Sequence, residues 1–400
     1  MVFDIGKIRS SYPALSDGYA YRDGAAGTQT PSSVIEAVVQ AYRGGIGNVG
    51  GVFPASRRAG RIVAECRRAV ADLVGGEPDG VVLGPNMTTL TYRFARTLAA
   101  GWRPGDEIVL SRLDHDANVR PWVQAAERAG AVVKWSRIDP ETGELPAQQY
   151  EALLSGRTRL VAVTAASNIL GTRPDVAAIA ARAHTVGALT YIDGVHATPH
   201  GQTDAAALGA DFYATSAYKW SGPHIGAIVA APALLETLSP DKLLPAPDTV
   251  PHRFETGTAA LADLAGVTAA VDHLAALDDG GAGTRRERLL ASMAAAEAHE
   301  LGLFALLEEG LGKLPGVVLY GRAARRTATA YFNLAGTAPQ RVAEHLAARR
   351  VNVWSGHSYA WEATGALGIR DSGAVRAGLV HYNDRSDVDR LLEAVAELAR

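Results

Sequence analysis

Lysine is rare in this sequence, and one lysine stands where an amine could do chemistry. The chain has 400 residues but only five lysines, and Lys219 follows the run Phe212–Thr215, which predicts a buried strand. Asp193 directly follows an earlier run of the same kind, Leu189–Ile192. Because parallel strands end at one edge of a sheet, we expect the amine and the carboxylate to meet there. An amine that forms an imine and a carboxylate that keeps a ring nitrogen protonated suit an electron-sink cofactor.

A third element, Gly84–Thr89, lies between the predicted strand Val81–Leu83 and a helix predicted from about residue 90. Free N–H groups at a helix start, with hydroxyls beside them, can bind a phosphate dianion. Alone, Thr88 could be a helix cap and Lys219 a solvated surface cation. Together the three elements predict pyridoxal phosphate (PLP), bound through a Schiff base to Lys219.

Three other motifs indicate different chemistry, but their surroundings speak against it. Gly45–Gly50 matches the dinucleotide pattern G-x-G-x-x-G, yet a helical pattern precedes it and a proline interrupts the helix that should follow. We therefore predict a glycine-rich loop. Ser216–Lys219 matches the S-x-x-K of serine acyl-enzymes, but its companion motifs are missing. Pro199 prevents the helix that would bring His196 and His200 to one face, so we predict two loop histidines and no metal site.

The composition is that of an ordinary globular protein, with 48% hydrophobic and 20% charged residues. A net charge of -3 gives no electrostatic footprint for nucleic acid or for an anionic membrane. The sequence contains no uninterrupted apolar run of about 18 residues, the length that crosses a bilayer, so no membrane partner is expected. A single cysteine, Cys66, excludes an internal disulfide framework. We expect a cytoplasmic protein.

The elements around these residues predict an α/β fold. Short β-branched runs alternate with helical patterns, as in βαβ units around a mostly parallel sheet flanked by helices. The predicted strands are Val81–Leu83, Glu107–Leu110, Ala131–Lys134, Leu160–Thr164, Leu189–Ile192, Phe212–Thr215 and Ile225–Val229.

The C-terminal part differs in character and predicts a smaller α+β domain. Two long helices, about 259–277 and 284–313, precede strands near Val317–Leu319, Thr329–Phe332, Val351–Trp354 and Val375–Val380, and a last helix begins at about Asp387. We predict a large PLP-binding domain over residues 16–256 and a small domain over residues 257–400, with residues 1–15 packing on the small domain.

With these residues and the motifs given below, the sequence resembles the class V aminotransferase family of fold-type I PLP enzymes, in the branch of cysteine desulfurases and selenocysteine lyases. The similarity extends from about residue 21 to residue 391. The motifs that carry it are Asp114–Asn118 with Pro121–Trp122, Ser167–Gly171, Ile192–Gly194, Ser216–Lys219, Phe254–Thr258 and Val375–Ala377.

The resemblance implies a role for each cofactor-binding residue. His115 would stack on the pyridine ring, and Asn168 would contact the ring hydroxyl or the substrate. Asp193 would hold the ring nitrogen, and His196 takes the place of a polar residue, commonly Gln, that bonds the ring oxygen. The phosphate would be held by Ser216 with Met87 and Thr88.

It also implies a homodimer with shared active sites, because Thr258 would reach the phosphate of the neighbouring subunit. Arg376 would clamp the substrate carboxylate, a task that suits a bidentate guanidinium. Asn168 and Tyr359 are the other predicted substrate contacts, and Lys219, His115 and Asp193 are the predicted catalytic residues.

The departures from the family are as informative as the matches. Desulfurases carry a nucleophilic cysteine on the loop that corresponds to Val353–Tyr359, and this loop has none. Trp354 stands where an arginine is common, Phe53 stands where a histidine is common, and Tyr218 replaces the histidine before the lysine. Cys66 lies on the apolar face of a helix predicted over about Ala59–Val74, so it is predicted to be a small buried hydrophobe.

These observations favour an enzyme that acts on a small or S-substituted L-amino acid through an external aldimine and Cα deprotonation by Lys219. We favour β-elimination, as in a carbon–sulfur lyase, because it keeps the family's substrate class without needing an enzyme thiol. The alternatives are an aminotransferase or epimerase, a cysteine desulfurase with a displaced or external thiol, and a non-catalytic PLP-binding protein.

Overall fold

The computed structural model describes residues 3–278 and 282–399 of the chain. Its strands are β1 (Ala20–Tyr21), β2 (Val81–Gly84), β3 (Glu107–Ser111), β4 (Val132–Ser136), β5 (Thr158–Thr164), β6 (Leu189–Asp193), β7 (Phe212–Ser216), β8 (Gly226–Val229), β9 (Val317–Tyr320), β10 (Thr329–Leu334), β11 (Val351–Asn352), β12 (Trp354–Gly356) and β13 (Ala374–Gly378). Its helices are α1 (Ile5–Ser10), α2 (Ser32–Arg43), α3 (Pro54–Val74), α4 (Met87–Ala99), α5 (Arg120–Ala129), α6 (Tyr150–Leu153), α7 (Val176–Thr185), α8 (Pro232–Glu236), α9 (Leu261–Leu274), α10 (Arg285–Lys313), α11 (Pro339–Ala348), α12 (Trp361–Ala366) and α13 (Arg385–Leu398).

The centre of the fold is a seven-stranded sheet in the order β2-β8-β7-β6-β5-β3-β4. Only β8 runs antiparallel to its two neighbours, while the other adjacent pairs are parallel. The six remaining strands therefore run in one direction, and their carboxyl ends lie along the same edge of the sheet.

Successive side chains of each strand point to opposite faces of the sheet, and the side chains on both faces are buried. Val82, Ile108 and Leu110 belong to a core that includes residues of α4 and α5. Leu83 and Val109 belong to the core on the opposite face, which includes residues of α3, α7 and α9. Helices thus cover both faces, and the edge is left to carry functional side chains.

The C-terminal part has its own antiparallel sheet, in the order β12-β13-β10-β9. Its core is formed with α10, α11 and α13 and includes Phe332, Leu346 and Leu391. A separate parallel pair joins β1 near the N-terminus to β11. This pairing ties the N-terminal segment to the C-terminal part of the chain.

Helix α10 connects the two cores. Its first half contributes Leu289, Met293 and Ala296 to the core beneath the large sheet, whereas its second half contributes Leu303 and Phe304, among others, to the core of the small sheet. By length and apolar composition α10 is also the one described helix that could span a membrane. Because both of its halves pack inside the protein, we interpret it as a core helix.

All seven predicted strands of the large sheet are present, and the predicted fold class is correct. Four local predictions were wrong. Helix α3 begins at Pro54 rather than near Ala59. The helix after β2 begins at Met87 rather than near residue 90, since the side chain of Asn86 accepts a hydrogen bond from the amide of Thr89 and caps it there. The predicted strand Val351–Trp354 is split between two sheets. The last helix begins at Arg385, because Asp384 and Asp387 form a capping box.

The N-terminal segment and α9 contact different parts of the molecule. Arg9 of α1 forms ion pairs with Asp384 and Asp387 at the start of α13, while α9 packs against α2 and α3. The predicted division of the chain at residue 257 stays a prediction.

Candidate active site

The predicted cofactor residues come together at the carboxyl edge of the large sheet. A small cavity of about 60 Å³ lies there. The residues that line it follow the carboxyl ends of several different strands, and open α/β sheets bind their ligands at that edge. The predicted residues that line it are Met87, Thr88, His115, Asn168, Asp193, His196, Ser216 and Lys219.

Lys219 ends a short 3₁₀ turn, Ala217–Lys219, that directly follows β7. Its Nζ donates a hydrogen bond to the main-chain carbonyl of Ala25. Burial, followed by the positive charge of Arg376, lowers the pKa of Lys219 to about 7, although Asp193 opposes this shift. The neutral amine, which is the nucleophilic form, is therefore accessible near neutral pH.

Asp193 ends β6 and is also buried. Its Oδ1 accepts a hydrogen bond of 2.9 Å from the amide of Val195. Burial raises the pKa of Asp193 to about 6, and the hydrogen bond and Lys219 only partly counter this. A carboxylate in such a place is stabilised by a cation beside it, which a protonated pyridine nitrogen would supply.

His115 follows β3 on a loop held by buried hydrogen bonds. The neighbouring Asp114 accepts hydrogen bonds from Ser111 and Asn118, each 2.6 Å long. His115 itself accepts a hydrogen bond of 3.0 Å at Nδ1 from the amide of Ala117. Burial, with the charges of Lys219 and Arg376, lowers its pKa to about 3. The ring is therefore neutral and can lie against an aromatic cofactor without adding charge.

The start of α4 forms the predicted phosphate cradle. Asn86 caps the helix, and the amide of Met87 donates a hydrogen bond of 3.0 Å to Oγ of Ser216. Gly226 of β8 lies directly behind this turn, because a Cβ at that position would come within 2.3 Å of the main-chain carbon of Asn86. The close approach holds the helix start against the sheet, with its N–H groups and the exposed Thr88 at the cavity.

Two polar atoms in the cavity wall test whether the site fits PLP. Oδ1 of Asn168 and Nδ1 of His196 are buried and have no hydrogen-bond partner among the described residues. Leaving such atoms unpaired costs free energy, so a polar ligand group is expected to meet them. With the amine of Lys219 and the carboxylate of Asp193, this donor and acceptor set fits a phosphorylated pyridine aldehyde.

A larger cavity of about 630 Å³ adjoins the first and shares several lining residues with it, among them Lys219, His115 and Asn168. Arg376, on β13 of the small sheet, lies in its wall and is buried. Nη1 of Arg376 donates a hydrogen bond of 3.1 Å to the main-chain carbonyl of Asn168. The other donors of this guanidinium remain to bind an anionic group.

Comparison with known proteins agrees with this geometry. The family Aminotransferase class-V matches residues 20–391. This chain belongs to the class V aminotransferase family. Members of the family are PLP-dependent enzymes that act on amino acids, and the fold is fold-type I, as predicted.

Three similar proteins place this chain within the family. It is 38% identical to the uncharacterized protein MT3887 of Mycobacterium tuberculosis over 100% of both chains. It is 33% identical to a probable cysteine desulfurase of Pseudomonas aeruginosa, over 97% of this chain and 96% of the relative. The crystal structure of the cysteine desulfurase CsdA from Escherichia coli superposes with a TM-score of 0.87 at 29% identity, covering 100% of this chain and 99% of CsdA.

The loop after β11 borders the larger cavity and has no cysteine. Ser358 and Tyr359 both have positive φ angles, of 48° and 57°. The loop is fastened at two points, since the carbonyl of Ser358 accepts a 2.9 Å hydrogen bond from Nδ2 of Asn168 and the carbonyl of Tyr359 accepts a 2.8 Å bond from the amide of Asp116. The ring of Tyr359 stacks on His115 at 5.5 Å. The strained turn therefore places an aromatic ring at the mouth of the site.

The one cysteine of the chain, Cys66, lies away from both cavities. Cys66 is fully buried on α3, as predicted, and lines neither of the two cavities. Burial raises the pKa of this thiol to about 12. A buried thiol that stays protonated is a poor nucleophile.

Two further predictions concern Thr258, which lies outside the cofactor cavity, and the two histidines His196 and His200. Thr258 is exposed and lies 3.5 Å from Nδ2 of Asn48 on the glycine-rich loop, so its predicted reach into a second subunit stays a prediction. His196 and His200 lie in the connection that follows β6, as predicted, and both are buried. Across the described residues, no cluster of three His, Cys, Asp or Glu side chains could hold a metal ion.

Several site residues were missed from the sequence. The carbonyl of Ala25 accepts from Lys219, and Tyr92 and Arg120 line the larger cavity. Every residue has a main-chain carbonyl, so the sequence does not single out that of Ala25. Tyrosine and arginine are common on helix surfaces, so Tyr92 and Arg120 could not be singled out either. Only the fold brings them to the site.

Proposed function

We propose that the protein binds PLP at the smaller cavity and cleaves the Cβ–S bond of an S-substituted L-amino acid by β-elimination. When bound, PLP supplies an electron sink for the electron pair left at Cα after deprotonation. The observation that carries the proposal is a cavity lined by eight of the residues predicted to bind PLP, beside a loop, 353–359, that has no thiol.

Lys219 has two tasks in this proposal. Its amine makes the covalent link to the cofactor aldehyde, and in the reaction its Nζ takes the proton from Cα. Burial and Arg376 lower its pKa to about 7, so a large fraction of the amine is neutral near that pH and can act as a base. Asp193 would keep a proton on the ring nitrogen, and the neutral ring of His115 would lie against the pyridine.

Arg376 orients the substrate. Its guanidinium is buried beside Asn168 and can bind the carboxylate of an amino acid through two hydrogen bonds. With the carboxylate held there, Cα lies between Arg376 and Lys219, which line the same cavity. Positioning of this kind places the scissile bonds near the base without further motion of the substrate.

The larger cavity supports a substrate that is bulkier than free cysteine. Its volume is about 630 Å³, and Trp354, Tyr359 and Tyr92 form part of its wall. Aromatic rings at a pocket mouth favour an apolar or aromatic substituent on sulfur. In the proposed reaction the Cβ–S bond breaks with its electron pair on sulfur, a thiol leaves, and water converts the remaining fragment to pyruvate and ammonia.

The proposal is tested with purified protein and a series of S-substituted L-cysteines, by measuring pyruvate, ammonia and free thiol in equal amounts. Lys219→Ala should abolish turnover and the borohydride-stable attachment of PLP, whereas Lys242→Ala, which removes a lysine outside both cavities, should preserve them. Transfer of the amino group to an added keto acid, without release of a thiol, would instead favour the aminotransferase alternative.

A cysteine desulfurase with a displaced or external thiol is the second candidate, because several relatives bear that name. With an added thiol as the reductant, it predicts alanine, sulfide and the disulfide of that thiol from L-cysteine, rather than pyruvate. A Cys66→Ala variant separates its two forms: loss of sulfide release would identify Cys66 as a displaced thiol, and retention would leave only an external one. Racemisation at Cα without bond cleavage would favour an epimerase, and bound PLP with no turnover a non-catalytic protein.

We further propose a cytoplasmic homodimer in which Thr258 binds the phosphate of the partner's cofactor. Thr258 is exposed here, as are Val52 and Phe53 on the neighbouring loop. Sedimentation would measure the mass. In the dimer, Thr258→Val should weaken PLP binding, while Thr237→Val, at an exposed threonine on the surface, should not.

A further inference from the structure

Two buried histidines follow Asp193 along the chain, and both reach into the C-terminal part of the molecule. Nε2 of His196 lies 3.1 Å from Oγ1 of Thr327 and 3.0 Å from Oγ1 of Thr329. Nδ1 of His200 lies 2.7 Å from Oε2 of Glu300, in the middle of α10. The loop that leaves the cofactor cavity is thus fastened to the small sheet and to α10.

The His200–Glu300 pair is costly for the fold. Each side chain is only 1% exposed, and Nε2 of His200 and Oε1 of Glu300 have no hydrogen-bond partner among the described residues. Burying such groups takes them out of water, and an apolar pair of similar size often gives equal stability. Stability alone therefore does not account for this pair.

The pair fixes the ring of His196. The rings of His196 and His200 meet edge to face, with centroids 4.8 Å apart and planes at 63°. His200 thus packs against one side of His196, and the two threonine hydroxyls hold Nε2. Nδ1 remains as the buried ring nitrogen without a partner, in a residue that lines the cofactor cavity.

The charges around His196 keep its ring neutral. Burial lowers its pKa well below the usual value, and His200, Lys219, Arg376 and Arg173 act in the same direction. A neutral imidazole carries a single proton, so its bonds at Nε2 decide whether Nδ1 donates or accepts. The fixed position of the ring therefore has chemical consequences in the cavity.

We propose that His200 and Glu300 form a positioning pair that holds the His196 ring toward the cofactor with one tautomer selected, so that the small domain controls this hydrogen bond. His196 is also linked to Arg376 through the small sheet. Its partner Thr329 lies on β10, and β10 pairs with β13, the strand that carries Arg376. The contact between His196 and Thr329 thereby connects the wall of the cofactor site to the strand that carries Arg376. This inference rests on the proposed PLP site.

The test is ¹⁵N NMR of the imidazole rings in the protein with and without PLP, with His196 assigned by comparison with His196→Gln. The parent should show one fixed tautomer for His196. Glu300→Gln should bring its two nitrogen shifts together, as tautomers mix, and should raise the PLP dissociation constant about fivefold, as expected for one lost hydrogen bond. Glu309→Gln, on an exposed face of the same helix, should match the parent.

A second variant covers the case in which Glu300→Gln does not fold. His200→Gln keeps a hydrogen-bonding group for Glu300 but removes the ring that packs against His196, so it should likewise mix the tautomers. Unchanged His196 shifts in the folded variants would overturn the positioning pair. If no PLP binds to the parent, the proposed function fails, yet the shifts measured without PLP still decide whether the pair selects the tautomer.

Discussion

Arg67 and Glu255 form a bidentate ion pair beside β2. Nη1 and Nη2 of Arg67 donate hydrogen bonds of 2.9 and 2.8 Å to the two carboxylate oxygens of Glu255. Oε1 of Glu255 also accepts a bond of 2.8 Å from the amide of Leu83. The pair therefore joins α3, β2 and the segment that leads to Thr258.

Breaking this pair should destabilise the fold. Glu255→Ala leaves a guanidinium, 6% exposed, without its partner, so we expect the free energy of unfolding to fall by about 3 kcal/mol in urea titrations. Glu309→Ala breaks the exposed pair with Lys313 and should cost less than about 1 kcal/mol. Equal effects of the two substitutions would contradict a special role for the buried pair.

The pH dependence of cofactor attachment should report the environment of Lys219. Since the neutral amine reacts, the rate at which PLP attaches to protein stripped of cofactor should rise with pH and level off above about pH 7, the pKa of Lys219. Arg376 lowers that pKa, so Arg376→Gln should move the midpoint upward. Arg120→Gln, in the same cavity wall, should leave it in place. A parent midpoint near 10, the pKa of an ordinary lysine, would refute this account.

Gly226 should be essential for the phosphate cradle. In Gly226→Ala the new Cβ would meet the main chain of Asn86 and Met87 at 2.3 and 2.5 Å, so the start of α4 must move away from the sheet. We expect PLP binding to weaken at least tenfold, measured by absorbance titration. Gly60→Ala, where a Cβ has open space on α3, should bind PLP normally, because alanine favours a helix.

Tyr359 should select the substrate through its ring. Its side chain is 68% exposed and stacks on His115, so Tyr359→Ala should fold normally and raise KM for an aryl-substituted substrate about fivefold. Tyr359→Phe should keep the parent value because the ring is retained. An unchanged KM in the alanine variant would place the substituent elsewhere.

Much of this site could be predicted from the sequence because strand ends carry it. Lys219, Asp193 and Ser216 follow or end short apolar strands whose pattern is unambiguous, and a parallel sheet brings such positions together. The start of α4 was placed too late because Asn86 was not recognised as the cap. The contacts of His196 and His200 were missed because their partners, Thr327, Thr329 and Glu300, lie at least 100 residues further along the chain.

Because the two halves of α10 pack in different cores, the number of residues between them fixes which side of the helix faces each core. Each residue turns an α-helix by about 100°, so deleting one residue between Ala296 and Leu303 would swing Leu303 and Phe304 away from the small core. Glu300, which lies in this interval, would lose its alignment with His200 as well. Only changes close to whole turns, such as an insertion of seven residues, would keep the faces in phase, and these would still lengthen the helix by about 10 Å. The length of α10 is thus as constrained as any side chain in the site.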